Sequence, residues 1–129
     1  MGKAAFLRLL EPDASLRDIR VAFTDRIEHM LECGSKSGCL LTFAAMEVAP
    51  RDKEVEAVLH RFMLRMTKAF MIGLEHARAK GEISESLDLN RASEFLTGAF
   101  FGLTVMGRSG FSEETLYGYV DSALAAVAR

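Results

Sequence analysis

Apolar residues recur at steps of three and four along most of the chain, which is the spacing of one face of an α-helix. The longest example fills residues 51–80, about 45 Å of helix at 1.5 Å per residue. Its apolar positions are Val55, Val58, Leu59, Phe62, Met66, Phe70, Leu74 and Ala77. Runs that alternate apolar and polar residues, which indicate half-buried strands, are nearly absent. The pattern predicts an all-α fold, a multi-helix bundle.

Capping residues divide the rest of the chain into further helices. Ser15, followed three residues later by Asp18, is typical of a capping box, so we expect a helix to begin there. An apolar run over residues 39–49 predicts a short helix before the long one. Gly81 suits the position just past the C-terminus of the long helix, where a left-handed backbone is common.

Residues 95–107 are thirteen residues between Glu94 and Arg108 without a charged side chain. Asp88 or Asn90 can cap the helix that contains them. One side of this helix carries Leu96, Ala99, Phe100, Leu103 and Met106, and the opposite side carries Gly98, Phe101, Gly102 and Val105. Thirteen residues are too few for a membrane span, which needs about 20. A helix that is apolar on nearly all sides must therefore be buried on more than one face.

The last helix, which Ser112 can cap, is similarly smooth, with Gly118, Ser122, Ala123, Ala125, Ala126 and Ala128. In a small domain, one side of the 95–107 helix can face the core while the other side faces a second copy. We therefore expect a symmetric homodimer through the last two helices. Its predicted interface residues are Gly98, Phe101, Gly102, Val105, Tyr117 and Tyr119. The alternative is that the 95–107 helix is the central core helix of a monomer.

Aromatic and methionine side chains on the earlier helices are candidates for an apolar ligand cavity, because methionine adapts to irregular shapes. The candidates are Phe23, Met30, Phe43, Met46, Phe62, Met63, Met66 and Phe70. The alternative for each of them is that it simply fills the core. The pattern forces no charged residue inward, and Thr42 and Glu47 are weak candidates to meet a polar group of the ligand.

Composition and charge narrow the class of protein. The chain has 129 residues and a net charge of −2, with half of its residues apolar, which fits one domain with its own core. No third of the chain is strongly basic, so we do not expect this chain alone to bind nucleic acid. The first ten residues have an apolar run cut by Arg8 and no cleavage site, so we expect no signal peptide and a cytoplasmic location.

Residues with metal or redox chemistry are few. His29, Cys33 and Cys39 lie close in the sequence, and three alternatives stay open for them: a soft metal, a thiol switch, or a purely structural Cys39. We expect neither a metal nor a cofactor, because no fourth ligand is recognisable. The chain also shows no plausible Ser/His/Asp order and no paired inward carboxylates, so we expect no enzymatic activity.

Three segments carry a resemblance to a known family: GCLLTFAAMEVAPRD (Gly38–Asp52), HARAKGEI (His76–Ile83) and LDLNRASEFLTGAFFGLTVMGRSGFSEETLYGYVDSAL (Leu87–Leu124). With their order, the chain resembles the C-terminal regulatory domain of TetR-family transcriptional regulators over roughly residues 15–128. The resemblance implies an effector pocket among the middle helices. It also implies a homodimer built as a four-helix bundle from the last two helices of each subunit.

The family's N-terminal helix-turn-helix unit, which binds DNA, is not within this sequence. By the resemblance, residues 1–129 form a single effector-binding and dimerisation domain, in which 1–14 are the remnant of a connecting helix and loop. Its function would be to bind a small, largely apolar ligand and so control DNA binding by a helix-turn-helix unit outside this chain. The alternative is a free-standing helical interaction protein that pairs with itself or with full-length relatives.

Overall fold

The computed structural model describes residues 3–33 and 46–129. These ranges form five α-helices and no strand, which confirms the all-α prediction. The helices are α1 (Lys3–Arg8), α2 (Leu16–Cys33), α3 (Lys53–Ala79), α4 (Leu89–Arg108) and α5 (Glu113–Val127). A 3₁₀ turn, Ala49–Arg51, precedes α3. Most of the short helix predicted over 39–49 lies outside the described residues.

The helix starts follow the predicted caps. The Ser15 backbone N–H donates to the Asp18 carboxylate over 2.9 Å, as a capping box requires. At the start of α4 the cap is Asp88 rather than Asn90, because the Asp88 side chain accepts from the N–H three residues later. Ser112 accepts from the corresponding N–H at the start of α5. These contacts satisfy N–H groups that a helix leaves without partners in its first turn.

The turn after α3 lies next to the N-terminus of α2. Gly81 ends α3 with a φ of 77°, the left-handed conformation that favours glycine. Next to it, the Glu82 carboxylate accepts from the Leu16 backbone N–H over 2.8 Å at the start of α2. The carboxylate therefore lies at the positive end of the α2 dipole. Because the end of α3 meets the start of α2, these two helices run antiparallel.

The centre of the core is a cluster of four phenylalanine rings from four helices. Phe6 of α1 contacts Phe70 of α3 and Phe100 of α4 edge to face, with ring centroids 5.2 and 5.3 Å apart. Phe23 of α2 stacks on Phe70 at 5.6 Å and meets Phe100 at 5.8 Å. Edge-to-face and stacked pairs add to the free energy gained from burial. The cluster therefore fixes α1 and α2 against the α3–α4 pair.

Candidate functional site

The side of α4 that points away from the core is apolar but partly open. It comprises Phe95, Gly98, Phe101, Gly102 and Val105, which we call the outer face of α4. Phe95 is 47% exposed and Val105 37% exposed. A Cβ atom built on Gly98 would meet nothing within 4 Å. The predicted division of this helix into two apolar sides is therefore seen. Within one subunit, Phe95, Gly98 and Val105 are exposed, while Phe101 and Gly102 are half-buried.

Tyr119 extends the outer face onto α5. A Cβ atom at Gly102 would lie 2.9 Å from the Tyr119 hydroxyl oxygen, so the hydroxyl end of this side chain lies against the glycine. Near Tyr119, α5 exposes the small residues Gly118, Ser122 and Ala126. Gly102 and the small residues leave room for the tyrosine and for close approach of another surface.

Tyr117 lies elsewhere, although it was predicted together with Tyr119. Two residues on a helix are about 200° apart, so the two tyrosines flank the buried stripe of α5 from opposite edges. Tyr117 is half-buried against the core, and burial raises its pKa, with the nearby charge of Glu28 on α2 adding to the effect. Tyr117 therefore faces α2 rather than the outer face.

The predicted ligand-binding residues differ in how far they are buried. Phe23 and Phe70 are fully buried and belong to the ring cluster of the core. Met30 and Met66 are also buried, while Phe62 and Met63 are half-buried and Met46 is 65% exposed. Because α2 and α3 are antiparallel, the end of α2 with Met30 lies toward the α3 half that carries Met63. Phe43 lies outside the described residues.

Three successive contacts, which we call the α2–α4 ladder, join α2 to α4, and the two helices run parallel. The contacts are Phe23 with Phe100 (ring centroids 5.8 Å apart), Arg26 Nε with Thr104 Oγ1 (3.4 Å), and Met30 Sδ with the Cβ position of Gly107 (2.8 Å). Each step advances about one helical turn along both helices. Beyond the third contact lies a cavity of about 230 Å³ with a largely apolar lining that includes Leu31, Arg108 and Phe111.

The middle contact contains a charged residue that points inward, which the sequence pattern did not force. Arg26 is only 5% exposed, and its Nη2 is buried without a hydrogen-bond partner. The sequence contained the signal, because Arg26 follows Phe23 by three residues and precedes Met30 by four, which places it on the apolar stripe. The charge of Arg26 nevertheless argued against a buried position, since arginine is almost never fully buried without a partner.

Metal chemistry finds no support in the part of the chain that the structure describes. Residues 3–33 and 46–129 contain no group of three or more His, Cys, Asp or Glu residues placed to hold a metal ion. Of the three residues considered for metal or redox chemistry, Cys39 lies outside those ranges, so its role stays untested. Within the same ranges, no helix has the length and hydropathy to cross a membrane.

The arrangement is a helical domain with a buried core, a partly uncovered helix face and a small cavity. Residues 15–116 match the family model described as "Tetracyclin repressor-like, C-terminal domain". The chain therefore belongs to this family of TetR-like transcriptional regulators, as the resemblance predicted. The family is regulatory rather than enzymatic, and its members are typically dimers that bind small ligands.

One curated relative with a related sequence is the "Uncharacterized HTH-type transcriptional regulator YezE" of Bacillus subtilis (strain 168). The two are 25% identical over 123 residues, which cover 94% of this chain and 63% of the relative. The chain thus spans under two thirds of the relative's length. No solved structure matches the chain significantly.

Proposed function

We propose that residues 1–129 are the effector-sensing and homodimerisation domain of a TetR-like transcriptional regulator. The domain binds a small, largely apolar ligand, and the bound ligand controls DNA binding by a helix-turn-helix unit outside this sequence. Residues 1–14 are the proposed remnant of the connecting helix and loop. A cytoplasmic location stays a prediction.

The observation that carries this proposal is the outer face of α4. Its apolar side chains, together with the uncovered Gly98, form a smooth strip that Tyr119 and the small residues of α5 continue. Monomeric proteins rarely expose such continuous apolar surface, whereas interfaces between subunits bury it. Dimers with two-fold symmetry place the same patch of both copies in contact. We propose an interface made of Gly98, Phe101, Gly102, Val105 and Tyr119, with Tyr117 supporting it from the α2 side.

Analytical ultracentrifugation of two matched valine variants tests the dimer. Val105→Glu places a charge on the outer face, and Val21→Glu places one on an exposed position of α2. We expect a wild-type dimer that Val105→Glu weakens by about tenfold or more, because an unpaired charge would be buried. Val21→Glu should leave the dimer intact. A wild-type chain that stays monomeric at high concentration would contradict the proposal.

The ligand-binding part has support from the cavity at the end of α2 and α4. Met30 borders this cavity, and Met63 and Met66 lie on the neighbouring half of α3, so adaptable side chains gather at one end of the bundle. We propose the eight residues predicted from the sequence as the wider ligand-binding region. Phe23 and Phe70 are its most deeply buried members.

Calorimetric titration with octan-1-ol, an uncharged apolar probe, tests the cavity. We expect wild-type protein to bind the alcohol and Leu31→Trp to lose measurable binding, because the indole would occupy the cavity. Leu10→Trp is the matched control, since Leu10 is similarly exposed and does not line the cavity. Equal binding by both variants would show that the alcohol binds elsewhere.

The alternative function, a free-standing protein that pairs with itself or with full-length relatives, uses the same outer face. A helix-turn-helix coding sequence in frame immediately upstream would support the regulator domain. A stop codon in frame at that place would support the alternative.

A further inference from the structure

We propose that the ligand of this domain carries a carboxylate and that Arg26 binds it. The inference rests on the proposed ligand-binding function and names the chemical class of the ligand: a small amphipathic monocarboxylate with a short apolar body. Its acidic group lies at the middle contact of the α2–α4 ladder, and its apolar body lies in the cavity beyond Met30 and Gly107.

Burial of Arg26 without a counter-charge is energetically costly. Arginine side chains stay charged in proteins, and a buried charge is stable only when it is paired and hydrogen-bonded. Arg26 is 5% exposed, yet its Nη2 has no partner and its Nε has only a long contact of 3.4 Å to Thr104. The Nη2 group therefore has unused donors in a place where water is excluded.

Among the described residues, no carboxylate forms an ion pair with Arg26. All 18 acidic residues lie within the described ranges, because neither residues 1–2 nor 34–45 contain Asp or Glu. The ion pairs found among them involve Arg8, Arg20, Arg78 and Arg91, and none involves Arg26. A counter-ion for Arg26 must therefore come from outside this subunit's own side chains. A planar guanidinium matches a carboxylate in two parallel hydrogen bonds.

Movement of the Met30 side chain would open a route from the cavity towards the Arg26 guanidinium. The contact between Met30 and Gly107 borders the cavity, and the contact between Arg26 and Thr104 lies one turn further along α2 and α4. Methionine has three rotatable torsions, so the side chain can move off the glycine without a change in the backbone. At a packing density of about 0.74, the cavity of about 230 Å³ admits about 170 Å³ of ligand, enough for a short aliphatic chain.

Matched titrations with octanoate and octan-1-ol test the inference. Wild-type protein is expected to bind octanoate about ten- to hundredfold more tightly than the alcohol, because hydrogen bonds to a charged group are the strong ones. Arg26→Met should abolish this preference. Arg108→Met is the control, because Arg108 is an exposed cation on the same cavity, and it should retain the preference.

Thermal denaturation without ligand separates a binding role from a structural one. Replacing a buried unpaired charge by an apolar side chain of similar size is neutral or stabilising, so Arg26→Met should melt at or above the wild-type temperature. A clear fall in its melting temperature would show that Arg26 stabilises the fold through a partner, and the inference would be wrong.

The binding results distinguish this inference from the proposed function. Equal affinity of wild-type protein for octanoate and octan-1-ol would overturn the carboxylate assignment and leave an apolar ligand cavity in place. Loss of the preference in Arg108→Met but not in Arg26→Met would move the acid to the cavity mouth and overturn the role of Arg26. Binding of neither probe would contradict both the inference and the ligand part of the proposed function, and the dimer would still be decided by ultracentrifugation.

Discussion

The two faces of α4 both lack charged side chains, and they differ in how far they are buried. On the inner face, Leu96 and Leu103 are fully buried and Phe100 is 6% exposed. On the outer face, Val105 is 37% exposed and Gly98 meets nothing within its own subunit. The comparison shows that the absence of charged residues on a helix face does not indicate what covers that face. Whether it packs inside a subunit or against another molecule depends on the helices around it.

Two threonine hydroxyl groups are buried beside the inner face of α4. Thr97 and Thr104 are buried, and each can donate to the carbonyl four residues earlier in α4. Thr97 also lies 2.7 Å from the Thr67 hydroxyl of α3, and Thr104 accepts from Arg26 of α2. Buried hydroxyls are tolerated when each of them has a partner. These polar contacts therefore fix the register between α4 and its neighbours.

The largest expected effect comes from truncating the inner face. Phe100→Ala should lower the free energy of unfolding by about 3–5 kcal/mol, because it removes a ring that contacts Phe6 and Phe23. Val105→Ala on the outer face should cost less than about 1 kcal/mol within a subunit. Urea denaturation at several protein concentrations separates this loss from any change in association. Equal losses for the two variants would contradict the difference between the faces.

A smaller effect should distinguish the two glycines of the outer face. Gly98→Ala should stabilise the subunit by about 0.5–1 kcal/mol, because alanine favours the helix and its Cβ enters open space. Gly102→Ala should bring almost no gain, because its Cβ would displace the Tyr119 hydroxyl. Thermal denaturation at low protein concentration measures both. Equal gains would mean that Tyr119 does not lie on Gly102, and a weaker dimer for Gly98→Ala would place that residue in the interface.

The smallest effect concerns the tyrosine that faces inward. Burial raises the pKa of Tyr117 above the ordinary value of 10.0, so the folded state favours the neutral phenol. The stabilisation is fully present below pH 10.0 and is lost as the pH rises through the raised pKa. Tyr117→Phe should therefore make unfolding less dependent on pH in the alkaline range.

Ultraviolet titration of tyrosinate provides the readout for Tyr117, since the chain has two tyrosines and no tryptophan. The wild-type protein should show a component that ionises later than free tyrosine, and Tyr117→Phe should lack it. Tyr119→Phe is the matched control and should retain it. A late component that survives in Tyr117→Phe would contradict the assignment.

Local patterns predicted the secondary structure well. The Ser15–Asp18 capping box, the Ser112 cap and the left-handed Gly81 are all observed, because each depends on residues within one turn of the helix end. The choice between Asp88 and Asn90 as the cap of α4 stayed open, since Asp and Asn are both favoured at the N-cap position. The site was harder to predict, because a periodic pattern does not show how far apart two helices lie.

The order of apolar residues along the chain by itself determined that this protein is helical and that α4 has an apolar face on each of two sides. Only the tertiary structure decided that Tyr119 covers Gly102 while Tyr117 faces α2, and that Arg26 is buried beside Thr104. The physical reason is one of range: helix formation and capping depend on neighbours in sequence. Burial of a charge and cover of a face depend on helices that are distant in sequence and adjacent only after folding.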